Sequence, residues 1–69
     1  MILHVAAYEI EHKGDLDSAI SDVRRAGGKI LKDIYRPEDE DVHFKVEVEN
    51  REAFESKLEM CEVESVIQK

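Results

Sequence analysis

The sequence predicts an α+β domain, a two-layer sandwich with the element order β-α-β-β-α-β. Three observations carry that expectation. Apolar residues recur at spacings of three and four from Leu16 through Ala19, Ile20, Val23 and Ala26, the stripe of an amphipathic helix. Phe44, Val46 and Val48 alternate with His43, Lys45, Glu47 and Glu49, the two-residue period of a half-buried strand. Around these elements the chain divides into two strand–helix–strand halves of roughly equal length, as a split β-α-β pair does.

Residues 2 to 10 read as the first strand, with Leu3, Val5 and Ala7 on one face and His4, Ala6 and Tyr8 on the other. Gly14-Asp15 offers a turn and a cap, because an aspartate at a helix start accepts bonds from unpaired N–H groups. The helix that follows carries Arg24 and Arg25 in its last turn, where cations complement the dipole. Gly27-Gly28 ends it, since glycine enters the left-handed region without strain. Ile30 to Tyr35 reads as the second strand, and Pro37 with the acidic run Glu38–Asp41 breaks it. After the third strand, Asn50 is a good cap for a short helix carrying Ala53, Phe54 and Leu58 inward. Glu62 to Gln68 supplies the last strand, with Val63, Val66 and Ile67.

Right-handed crossovers in both halves put the two helices on one face of a four-stranded antiparallel sheet in the order 4-1-3-2. This is the ferredoxin-like layout, and residues 1–69 form one such domain. A chain of 69 residues buries only about 60% of its unfolded surface, so pairing with a second copy helps it.

Bulk properties exclude several classes. Ten basic residues face seventeen acidic ones, a formal net charge of −7. Nucleic-acid backbones and anionic membrane surfaces reward the opposite sign. No run approaches the ~20 apolar residues of a membrane span. The start of the chain lacks a basic segment or cleavage site, so a cytoplasmic location is expected. One cysteine, Cys61, among glutamates, rules out an internal disulfide and reads as a small packed hydrophobe. Charged residues are 39% of the chain, Asn and Gln occur once each and Thr is absent. That balance suits a thermophilic source, where desolvating ion pairs costs less and amides decompose faster.

The conspicuous side chains read as structural. With the middles of strands one and three matched, His4 falls opposite Glu47 and Tyr8 opposite His43, which keeps the two histidines several residues apart in ordinary cross-strand pairs. His12 reads as a solvated loop residue. Glu38–Asp41 reads as a solvated hairpin tip, lacking the alternating oxygens and glycine of a calcium loop. Asp15, Asp17 and Asp22 read as cap and solvated helix face. No nucleophile–base–orienter set is visible, so no enzyme activity, metal or cofactor is expected.

The run Lys13-Gly14-Asp15-Leu16, Ala19-Ile20, Val23, Ala26-Gly27, Gly28-Lys29-Ile30 and Ile34 resembles the ACT domain, an amino-acid-sensing regulatory module. That family's pattern is a strand, a glycine-containing loop followed by an apolar residue, a helix, Ala-Gly, a small or polar residue and an Ile-rich strand. The resemblance implies a homodimer with an amino acid or similar zwitterion held by His12, Lys13, Gly14, Asp15 and Leu16, faced by Gly28, Lys29 and Ile30. Two positions depart from the pattern: Asp15 stands at a usually apolar place and Lys29 where a small amide is common. Gly14 would let backbone approach a ligand, helix-start N–H groups favour a carboxylate, and Asp15 suits an ammonium group. The alternative function is a non-catalytic interaction module whose acidic surface docks on a basic protein partner.

Overall fold

The computed structural model describes residues 1–60 and the backbone of residues 65–68. The elements are β1 (Ile2–Ala7), α1 (Lys13–Arg25), β2 (Lys29–Arg36), a 3-10 turn (Pro37–Asp39), β3 (Asp41–Glu47), α2 (Arg51–Glu59) and β4 (Ser65–Gln68). They form a small α+β fold in which β3 pairs antiparallel with both β1 and β2. The backbone of β4 runs antiparallel beside β1, Ser65 opposite Ala7 and Gln68 opposite His4. The expectations for Cys61 and Val63 lie outside the described residues, as do those for the side chains of Val66 and Ile67. Among the described residues no helix is long and apolar enough to cross a membrane.

One face of the sheet holds the core. Leu3, Val5 and Ala7 of β1 and Val42, Phe44 and Val46 of β3 are buried in a single cluster with Ala19 and Val23 of α1 and Phe54 and Leu58 of α2. Burial of each larger side chain stabilises the fold by about 1.5–3 kcal/mol. Both helices meet the sheet at Gly28, where an added Cβ would lie 2.5 Å from Val46 Cγ1, 2.8 Å from Phe54 Cε1 and 3.0 Å from Val23 Cγ1.

Helix α1 ends as its glycines predict. Gly27, at φ 98°, donates its N–H to the Arg24 carbonyl, and Gly28 donates to the Val23 carbonyl. That pair of bonds is the Schellman arrangement, which satisfies carbonyls the helix end would otherwise leave unpaired.

Three expectations need correction. The first strand stops at Ala7, short of Ile10, because Glu9 turns left-handed at φ 62°. Ile10 then becomes a pin between loops: it is buried, its N–H donates to the Glu40 carbonyl at 2.8 Å, and its carbonyl lies 3.5 Å from the Tyr35 hydroxyl. Second, Asp41 is no part of a solvated tip. The turn spans Pro37–Asp39, Glu40 reverses the chain at φ 52°, and Asp41 opens β3 at only 8% exposure. Third, the strand expected over Ile30–Tyr35 runs from Lys29 to Arg36 and is not regular. A bulge at Leu31 sets Ile30 opposite Val46 and Lys32 opposite Lys45. One extra residue reverses which side chains face the core. Ile30 and Tyr35 pack against the core, while Ile34 lies on the outer face, 44% exposed.

Candidate functional site

The loop from β1 into α1 arranges its residues differently from the expectation. His12 is the N-cap residue, in extended backbone, and its side chain caps nothing. Asp15 is not the cap but the third residue of the helix. Its Oδ2 accepts the backbone N–H of Glu11 at 3.1 Å and lies 3.5 Å from His12 Nε2. The carboxylate thus reaches back past the cap, as the third helical residue does in a capping box. Gly14 sits under the His12 ring, whose Cε1 and Nδ1 would be 3.1 Å from an added Cβ. His12, Lys13 and Gly14 are exposed, whereas Leu16 packs against the core.

Gly28, Lys29 and Ile30 lie at the other end of α1. A helix of 13 residues is about 20 Å long, so one chain does not bring these residues to the His12–Leu16 loop. Gly28 is committed to close packing and Ile30 to the core. Lys29 is exposed and borders a cleft of about 500 Å³ with Met1, Glu47, Asn50 and Lys57.

The outer face of the sheet contains a cluster whose members the expected register separates. In the observed register His4 is opposite Lys45 and Ala6 opposite His43, not His4 opposite Glu47 and Tyr8 opposite His43. This two-residue shift makes His4 and His43 diagonal neighbours. His4 Nε2 lies 2.9 Å from His43 Nδ1, with the rings edge to face at 80° and centroids 5.2 Å apart. His43 Nε2 lies 3.1 Å from Asp41 Oδ2. An ionised carboxylate only accepts, so the network assigns the proton of neutral His43 to Nε2, leaving Nδ1 to accept from His4 Nε2–H. The other Asp41 oxygen, Oδ1, is buried with no partner among the described residues. Asp41 and His43 are two apart on one strand, so their shared face was legible in the sequence. The inclusion of His4 depends on register alone.

Beside this cluster the outer face carries an open groove of about 350 Å³, bordered by Ile2, His4, Lys32, Ile34, His43 and Lys45. It combines two cationic side chains, two imidazoles and two half-exposed isoleucines. Among the described residues no group of three histidine, cysteine or carboxylate side chains is arranged to hold a metal ion.

No family model, curated protein or solved structure matches this chain.

Proposed function

We propose that the chain is a cytoplasmic, non-catalytic regulatory domain of ferredoxin-like, ACT-like design, with sheet order 4-1-3-2, that works as a homodimer and binds an amino acid or similar small zwitterion. The observation that carries this reading is the contrast between the two helix starts. Asn50 Oδ1 accepts the Ala53 N–H at 3.1 Å and closes the start of α2. The start of α1 has no side-chain cap, and it lies in the loop that the family resemblance names. Uncapped N–H groups beside Gly14 and Lys13 suit a carboxylate, and Asp15, 35% exposed at its side chain, suits the ammonium.

The separation of the two candidate segments makes the dimer a requirement of this reading. A pocket that uses both His12–Leu16 and Gly28–Ile30 needs the two segments from different copies, because α1 holds them about 20 Å apart within one chain. Ligand binding and pairing are then linked, and each strengthens the other.

Titration of the intact chain with each of the twenty amino acids, followed by backbone amide shifts and by light scattering, tests this reading. The expected result is saturable shifts in residues 11–16 and 28–30 with a dimeric mass. Gly14→Val, which must displace the His12 ring, weakens the response. A monomer at all concentrations, with no shift for any amino acid, overturns the reading. Salt-sensitive capture of a basic protein would then favour the acidic interaction module.

A further inference from the structure

Three outward-facing charged pairs cross between β2 and β3. Lys29 is opposite Glu47 and Arg36 is opposite Asp41, both of opposite sign. The middle pair is Lys32 opposite Lys45, and His4 continues that row on β1, opposite Lys45. Like charges directly opposite each other disfavour a sheet, whereas opposite charges in that relation favour it. No ion pair joins Lys32 or Lys45 to a carboxylate among the described residues. In a chain of net charge −7 this row is a local reversal of sign.

The Leu31 bulge creates the row. An unbulged strand would put Leu31 opposite Lys45 and turn Lys32 toward the core side; the extra residue instead brings both lysines into one groove and Ile34 beside them. Ile34 and Ile2, 44% and 56% exposed, supply apolar contact on the same face. His4 adds a polar edge: its Nε2 is committed to His43, and its Nδ1 has no partner among the described residues.

We propose that this groove is a second binding site, for a small organic anion: a carboxylate carrying an apolar group, its charge held between Lys32 and Lys45 and its apolar part lying on Ile34 and Ile2. Charge complementarity selects the head group, because two lysines brought to one groove by register gain most from an anion between them. The isoleucines select against a bare inorganic ion. At about 350 Å³ the groove lies at the small end of ligand sites. This site is separate from the α1 loop, and its ligand needs no ammonium group.

Hexanoate is a suitable probe, with hexanamide as its uncharged counterpart and inorganic phosphate as charge without an apolar group. Amide shifts of the intact chain should respond to hexanoate at His4, Lys32, Ile34, His43 and Lys45, saturating on the order of 1–10 mM. Hexanamide and phosphate should each bind about ten-fold more weakly or worse. Lys45→Gln should weaken hexanoate about five-fold or more while keeping a folded spectrum, because it removes one member of a repulsive pair. Absence of a saturable response, equal binding of hexanamide, or hexanoate shifts confined to residues 11–16 overturns the proposal. So do outer-face shifts that follow protein concentration instead of hexanoate, which would make a second copy the occupant.

Discussion

His4 Nε2 and His43 Nδ1 lie 2.9 Å apart, a hydrogen bond between residues 39 positions apart in the chain. It ties β1 to β3 on the face away from the helices, and Asp41 anchors its far end through His43 Nε2 at 3.1 Å. The network is part of what makes the outer face a defined surface beside the groove.

A double-mutant cycle on His4→Ala and His43→Ala should give a coupling energy of about 0.5–1 kcal/mol by urea unfolding, as expected for a neutral, largely exposed hydrogen bond. Asp41→Ala should also release His43 from its assigned Nε2–H form into a mixture of tautomers, read from the ring nitrogen shifts of the neutral imidazole. Unchanged tautomer populations would contradict the relay.

The adjacent glycines should behave differently. Gly27 has φ 98° and open space around an added Cβ, so Gly27→Ala costs about 1 kcal/mol through backbone strain alone. Gly28 faces three core side chains from β3, α2 and α1, so Gly28→Ala adds overpacking of about 1–3 kcal/mol. Denaturant midpoints of the two variants should rank in that order.

Deletion of Leu31 should be tolerated. The bulge residue has no partner on β3, and without it Ile30 still meets Val46 and Lys32 still meets Lys45. Leu31 is 44% exposed. Stability should change by no more than about 1 kcal/mol, and cross-strand contacts from Lys32 to Lys45 should persist in NMR spectra. Global unfolding of the deletion variant would show that the bulge itself is required.

The helix starts give a fourth contrast. Asn50→Ala removes the bond to the Ala53 N–H and should cost about 1 kcal/mol. His12→Ala removes no cap bond, and its side chain is 71% exposed, so its effect on the unfolding midpoint should be near zero. Thermal or urea denaturation of both variants decides the matter.

The elements were legible because their causes are local. The Leu16–Ala26 stripe, the Gly27-Gly28 stop, the Asn50 cap and the Phe44–Val48 alternation each depend on residues within a few positions of one another. The Asp41–His43 pairing is equally local, two residues on one strand face, yet the acidic neighbours Glu38, Asp39 and Glu40 make Asp41 resemble part of the turn. The turn ends one residue earlier, at Glu40, whose left-handed backbone is the actual reversal point.

Relationships between strands were settled elsewhere. A shift of two residues in the β1–β3 register converts separated histidines into a hydrogen-bonded pair, and a single bulge moves Ile34 and Lys32 onto the outer face. Neither leaves a trace in periodicity. A register shift of two keeps every side chain on its face, so the hydrophobic pattern is satisfied either way. A bulge in an edge strand such as β2 is accommodated by one partner only, and its place follows from packing Ile30 and Tyr35 together against the shared core. The chain's local chemistry thus specified its helices, its stops and the faces of β1 and β3. The packed core chose which strand residues meet, because burial depends on the combined fit of β1, β2, β3 and both helices.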